Sequence, residues 1–263
     1  MCKQILSGLL LVLVAIGTRA GANGDVTGYA YDVEQDKLRY LEAYDRVYDA
    51  QGRLQQATVT YLSPGERTLA TKKLEYAHPY APNVSFTNKA AGYAESVRWL
   101  ADGRVEVGHS QDAGPWQKKV LEVKEPVVAD AGFDTYLQDH IAALQQGERL
   151  TFQFLNPARL DWFRFQARKI AATQSTIKIE VAPASQLLRW LVEPILLTYQ
   201  LPTTEQERPR LLHYNGLTNM SLDGENTLVA NIYYEYEESE TYFSNSMITS
   251  LIESSLNSPT TPV

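Results

Sequence analysis

A long series of short alternating segments, separated by turn residues, constrains the fold most. Leu38–Tyr48 and Leu54–Leu62 flank a turn at 49–52, in which Gly52 supplies the positive φ that such a turn needs. Ala101-Asp102-Gly103 is a second hairpin signal of the same kind. The pattern predicts roughly eleven to thirteen strands at the spacing of an all-β protein.

Two segments depart from this alternation and predict helices. In 134–146 the apolar residues recur at helical spacing, with Asp134 as the expected N-cap and Gly147 as the expected stop. In 184–192 an apolar run lies between two prolines, which is typical of a short helix. The predicted fold is therefore mainly β: a large curved antiparallel sheet, as a half-barrel or open barrel, with one or two helices against its concave face.

The first twenty-two residues predict a secretory signal peptide. A short basic start precedes an apolar run too short to span a bilayer, and Ala20-Gly21-Ala22 fits a cleavage site. The expected organisation is a signal peptide at 1–22, one antiparallel β domain with embedded helices at 23–236, and an acidic, Ser/Thr-rich tail at 237–263. An apolar stripe at 247–256 predicts a short amphipathic helix in that tail.

Composition excludes several classes of function. The chain has 31 acidic against 24 basic residues and no long Lys/Arg run, which argues against a nucleic-acid partner. Its one cysteine, Cys2, lies inside the predicted signal peptide, so neither a disulfide nor a thiolate nucleophile is expected. No transmembrane helix is expected, because no second apolar run reaches spanning length. A disulfide-free exported protein of this size suggests a bacterial periplasm.

The sequence carries no recognisable catalytic set. Neither a G-x-S-x-G elbow nor a P-loop or dinucleotide fingerprint is present, and the four histidines show no metal-ligand spacing. We therefore expect no enzyme, no catalytic residue, no metal and no cofactor.

Apolar and aromatic side chains near the predicted helices are the candidate ligand-binding residues. A proline-bounded apolar helix could cover a hydrophobic cavity or plug one end of the sheet, and the sequence favours the plug. The candidates are Phe133, Tyr136, Phe152, Phe154, Leu187, Leu188, Trp190 and Leu191.

Asp130 and Asp134 form a possible polar site in the string Val128-Ala129-Asp130-Ala131-Gly132-Phe133-Asp134. One interpretation places both acids around a bound polar group or cation. The favoured alternative is structural: Asp134 caps the helix, Asp130 closes an Asx turn, and Gly132 gives backbone freedom.

Four strings in this chain resemble an uncharacterised family of exported proteins from Gram-negative bacteria, over roughly residues 25–236. That family has no assigned activity, so the resemblance implies no catalytic residues. At fold level the pattern also resembles the half-barrels of periplasmic lipoprotein carriers, although this chain is longer. The four strings are Tyr29-x-Tyr31-Asp32 with Leu38-x-Tyr40-x-Glu42; Val128 to Asp134; Arg189 to Ile195; and Leu212-x-Tyr214-x-Gly216-Leu217-x-Asn219.

These observations lead to one expectation with three alternatives. We expect a soluble, non-enzymatic periplasmic protein that binds a lipid or another apolar or amphipathic ligand on the concave face of its sheet. A structural or protein-interaction module of the envelope is the first alternative, and an outer-membrane β-barrel is less favoured. A hydrolase using acids near Asp130 ranks last, because two acids without a partner base do not make a mechanism.

Overall fold

A computed structural model gives the structure of the protein. It describes residues 26–237, apart from 113, 190–191, 205–206 and 225–226, and it does not describe the side chain of Leu188. The predicted signal peptide at 1–22 and the predicted tail helix at 247–256 lie outside the described residues. Within the described part, no helix is both long and apolar enough to cross a membrane.

One large sheet dominates the described chain. Its strands are β1 (Val26–Asp32), β2 (Leu38–Tyr48), β3 (Leu54–Leu62), β4 (Thr68–Glu75), β5 (Asn83–Asn88), β6 (Tyr93–Trp99), β7 (Val105–Ser110), β8 (Gln117–Leu121), β9 (Val127–Ala129), β10 (Arg149–Asn156), β11 (Asp161–Ala172), β12 (Thr176–Pro183), β13 (Ile195–Gln200), β14 (Arg210–Ser221) and β15 (Thr227–Tyr236). The order in space runs from β8 back to β1 and then from β15 back to β9, so the sheet is open, with β8 and β9 at its edges. Neighbouring strands are antiparallel, whereas β9 and β10 are parallel.

The predicted fold class is confirmed, but the predicted strand count is too low. Fifteen strands lie in the sheet of the described residues, and the alternation pattern missed β5 and β9. Strand β5 mixes Val84 and Phe86 with Asn, Ser and Thr, which resemble loop composition. Strand β9 has only three residues, all buried, so it shows no alternation to detect.

The first predicted helix forms, with a different start. Helix α1 spans Gly132–Asp139 and α2 spans Ile141–Gln145, with a break at His140. The N-cap is Ala131, which makes no side-chain cap bond, so the prediction that Asp134 caps the helix is wrong. Asp134 lies inside the first turn, where its carboxylate accepts hydrogen bonds from other side chains. Gly147 has a φ of +92°, and its amide donates to Leu144, as a helix stop requires.

Two shorter helical turns complete the described chain. A 3-10 turn at Pro157–Arg159 connects β10 to β11. Helix α3 covers Gln186–Arg189, which is one turn of the helix predicted for 184–192. Pro183 and Pro194 bound this segment, because each proline disfavours a helix that continues through it.

Two hydrophobic cores lie on the sheet, and β9 contributes side chains to both. Val127 and Ala129 pack into the first core, formed mainly by β2–β7, while Val128 packs into the second, formed by β10–β13 with α1 and α2. Alternate residues of a strand point to opposite faces, so β9 buries both of its faces. The Asp130–Asp134 string follows directly after this shared strand, at the boundary between the two cores.

Candidate functional site

Four of the predicted ligand-binding residues come together where α1 packs on β10. The ring centroids of Phe133 and Phe152 are 6.0 Å apart, those of Phe133 and Phe154 are 6.5 Å apart, and those of Tyr136 and Phe152 are 5.3 Å apart. Phe152 and Tyr136 are buried and fill the second core. Phe133 and Phe154 are only half-buried, so this aromatic cluster has an accessible end.

Strand β11 extends the aromatic cluster. The Phe165 ring lies 5.9 Å from the Phe154 ring and 6.4 Å from the Phe152 ring. Phe163 is directly opposite Phe154 in the β10–β11 register, so its side chain is on the same face. The sequence predicted a strand here but not a site. The signal it offered was the run Trp162-Phe163-Arg164-Phe165, which places aromatic residues on both faces of one strand.

An open groove lies at this end of β11. It has a volume of about 420 Å³ and is lined by Trp162, Phe163, Arg164, Ala184 and Ser185. The indole N–H of Trp162 donates to the Glu122 carbonyl at 3.0 Å, which fixes that wall of the groove. The groove therefore combines aromatic side chains with one guanidinium group.

The predicted apolar helix begins at this groove. Ser185 lines the groove and α3 starts at the next residue. The Leu187 side chain is 74% exposed, so it does not plug the sheet as the favoured interpretation required. The side chain of Leu188 and the whole of Trp190 and Leu191 lie outside the described residues.

Asp130 binds a cation supplied by this chain. Its carboxylate lies 2.8 Å from the Nζ of Lys72, and both side chains are largely buried. The same carboxylate oxygen accepts from the amide of Ala131 at 2.6 Å, and the Phe133 amide donates to the backbone carbonyl of Asp130. Asp130 itself has a φ of +44°. A backbone hydrogen bond thus spans the turn, while the Asp130 carboxylate both accepts from the Ala131 amide and forms an ion pair across the first core.

Two further acids surround Lys72 within the first core. Glu42 and Glu95 are buried, although neither forms a direct ion pair with Lys72. Tyr44 and Tyr234 donate to Glu42 at 2.7 and 3.2 Å, and Tyr93 donates to Glu95 at 2.8 Å. This ion network was not predicted from the sequence, although Lys72 alternates with Ala70 and Leu74 along β4, which places it on the buried face.

The electrostatics of this network follow from burial. Desolvation, with a contribution from the Asp130 charge, raises the pKa of Glu95 to about 7. Desolvation also raises the pKa of Glu42 against the opposing hydrogen bonds of Tyr44 and Tyr234. Burial alone would lower the pKa of Lys72, but the carboxylates around it outweigh burial and raise it. The site can hold a proton near neutral pH, and Lys72 stays charged.

Asp134 makes a different set of contacts, in the second core. The phenol of Tyr199 donates to it at 2.9 Å, and the Gln138 amide donates at 2.9 Å. Desolvation raises the pKa of Asp134, and both hydrogen bonds oppose that rise. Asp130 and Asp134 therefore do not converge on one site, since each carboxylate has its own protein partners. Among the described residues, no group of three or more His, Cys, Asp or Glu side chains is arranged to hold a metal ion.

Neither a protein-family model nor a curated protein matches the chain. A solved porin-like protein from Bacteroides uniformis ATCC 8492 shares 10% sequence identity, with 82% of this chain and 97% of that chain covered and a TM-score of 0.28. A similarity at that TM-score is too low to support a fold family or a function. Membership of the exported Gram-negative family therefore remains a prediction.

Proposed function

We propose that this chain is a non-enzymatic, exported protein of the cell envelope that binds an apolar or amphipathic ligand. The observation that supports this most directly is the groove beside the accessible end of the aromatic cluster. The proposed ligand contacts are Trp162 and Phe163 on β11, and Phe163 lies directly opposite Phe154 of the aromatic cluster.

The groove matches a small-molecule site in its volume and in the kinds of side chain that line it. Its volume of about 420 Å³ is within the usual range of roughly 300–1,000 Å³ for ligand pockets. Such pockets combine apolar and aromatic walls with a few polar groups that fix orientation. Here the apolar wall comes from Trp162 and Phe163, and Arg164 and Ser185 supply the polar groups.

The buried interior is less suited to this role. Phe152 and Tyr136 are 1% and 4% exposed and pack against each other, so a ligand there would have to displace the core. A ligand in the groove needs no such rearrangement. The proposal therefore places the ligand at the rim of the aromatic cluster, where half-buried rings already contact solvent.

The test is native mass spectrometry of protein purified from periplasm without detergent, followed by organic extraction and lipid analysis. We expect a bound mass that extracts as a lipid from the wild type and falls several-fold in Phe163→Ala. Trp116→Ala is the matched control, because Trp116 is an accessible aromatic residue, 45% exposed, outside the groove. An apo mass that added lipids leave unchanged would overturn the proposal, as would equal retention by both variants.

A protein-interaction module is the second candidate, and the edge strand β8 favours it. Four of its five residues are exposed, so its backbone could pair with a strand from a partner. Lys118 and Lys119 on the same strand weaken this candidate, because edge lysines discourage such pairing. Recovery of one stoichiometric partner without lipid, lost when Val120→Pro blocks the edge, would favour it.

A further inference from the structure

A second depression lies on the same face of β11 as Trp162 and Arg164. It is a cleft of about 210 Å³ lined by Arg149, Gln166, Arg168, Glu180 and Arg189. Residues 162, 164, 166 and 168 alternate in phase along β11, so they share one face of the strand. The cleft and the groove are therefore neighbours along a single strand.

Two of the three arginines in the cleft are held in place by other groups. Arg168 makes a bidentate ion pair with Glu180, in which its Nε and Nη2 donate to the two carboxylate oxygens at 2.8 and 3.0 Å. The Nε of Arg189 donates to the Pro183 carbonyl at 2.6 Å, and its terminal nitrogen donates to the Gln166 side-chain oxygen at 3.1 Å. A guanidinium carries five N–H donors, so both arginines retain donors for a ligand.

Arg149 has no such partner. In the described part of the chain it makes neither a hydrogen bond nor an ion pair, and it lies directly opposite Arg168 in the β10–β11 register. Like charges facing each other across a strand pair are destabilising. The cleft thus gathers three guanidinium groups around one carboxylate, within a chain whose formal net charge is −7.

We propose that this cleft binds a phosphate group, as the head of the ligand whose apolar part lies in the groove. Three guanidinium groups against one carboxylate leave two positive charges in excess, which matches the charge of about −1.5 to −2 on a phosphate monoester. Guanidinium groups also pair with phosphate oxygens through parallel N–H donors. Arg164 and Gln166 are two residues apart, roughly 7 Å along a strand, so one amphipathic molecule can span groove and cleft.

This inference rests on the proposed function for the source of the phosphate, but the cleft can be tested separately. Isothermal titration calorimetry at low ionic strength would use inorganic phosphate, then a short-chain phosphatidic acid below its aggregation concentration, and then the matching phosphatidylcholine. Variant Arg149→Gln removes the guanidinium without breaking a hydrogen bond or ion pair of the described residues. Arg67→Gln is the control, since Arg67 is exposed in the β3–β4 turn and its side chain also lacks an ion pair among the described residues.

We expect phosphate binding that Arg149→Gln weakens about tenfold and Arg67→Gln leaves unchanged. Tighter binding of the phosphatidic acid, with that gain lost in Phe163→Ala, supports a lipid head group and the groove together. Equal binding of phosphatidic acid and inorganic phosphate supports the cleft with a free phosphate as its ligand, and removes the support for the groove. Absence of phosphate binding, or equal binding by Arg149→Gln and wild type, overturns the cleft regardless of what the groove binds.

Discussion

The ammonium of Lys72 lies 2.8 Å from the carboxylate of Asp130, although 58 positions separate the two residues in the sequence. Lys72 is on β4 in the first core, and Asp130 follows β9, the strand shared by both cores. Four residues later, Asp134 accepts a hydrogen bond from Tyr199 on β13, in the second core. The Asp130–Asp134 string therefore links the two halves of the sheet through two carboxylates.

Replacing Lys72 by Met is expected to destabilise the protein strongly. Asp130 would lose its partner while Glu42 and Glu95 remain buried nearby, and removing one partner of a buried ion pair costs about 3–5 kcal/mol. Urea denaturation would measure the free energy of unfolding. Lys73→Met is the matched control, because the neighbouring Lys73 is exposed on the other face of β4 and should change that energy by less than about 0.5 kcal/mol.

The double variant Lys72→Met/Asp130→Asn separates the ion pair from general packing. Removing both charges leaves no uncompensated ion from this pair. The double variant should therefore have a higher free energy of unfolding than Lys72→Met alone. If the two single losses simply add, the pair is not coupled and the proposed link across the first core is wrong.

Stability is expected to fall as the pH rises through the range in which Glu95 ionises. Its pKa is about 7 in the folded protein and 4.5 ordinarily, so between those values the folded state binds more protons than the unfolded state. A raised carboxyl pKa therefore means that raising the pH destabilises the fold, by about 3 kcal/mol in all for this residue. Urea denaturation at several values between roughly pH 5 and pH 8 should show a shallower pH dependence for Glu95→Gln than for wild type.

The difference between wild type and Glu95→Gln is the informative quantity, because other groups titrate as well. The lowered pKa of His213 contributes a slope of the opposite sign in both proteins. Glu106→Gln is the control: its ion pairs lower the pKa of Glu106, so its contribution is lost only below about pH 4.5. Parallel pH profiles for wild type and Glu95→Gln would show that Glu95 ionises normally.

The features of the fold and of the candidate site that could be predicted from the sequence are those that depend on residues close together in the chain. The hairpin at 49–52 and the stop at Gly147 follow from turn chemistry within a few residues, and both form. Asp134 looked like a cap because it precedes a helical pattern, but its partner Tyr199 is 65 positions away. The pairing of Lys72 with Asp130 and the clustering of Arg149 with Arg189 depend on strand order in the same way. Alternation gives the face of a strand but not its distant neighbours.

Replacing Gly132 by Ala should destabilise the fold, because the backbone of another segment passes too close to this position for a side chain. A Cβ at this position would collide with the backbone carbonyl of Tyr80 and with the ring of Pro82, so the need is for close approach and not for a special φ. The Tyr80 carbonyl also accepts from the amide of Ala129, which restricts its movement. Overpacking of this kind costs about 1–3 kcal/mol. Thermal melts of each variant would measure the change in melting temperature. Gly65→Ala, where the nearest atom is a side-chain oxygen 4.0 Å away, should leave that temperature nearly unchanged.

Asp134→Ala should cost more than the roughly 1 kcal/mol expected for loss of a helix cap. The change leaves the buried phenol of Tyr199 without its acceptor, and an unsatisfied buried polar group costs about 1–3 kcal/mol. Tyr199→Phe removes that phenol, so the Asp134→Ala loss should be smaller in a Tyr199→Phe background. A double-mutant cycle by urea denaturation gives the coupling, expected at about 1 kcal/mol or more. A coupling near zero would mean that the Asp134–Tyr199 hydrogen bond does not stabilise the contact between α1 and β13. Apolar packing alone would then hold α1 against the second core.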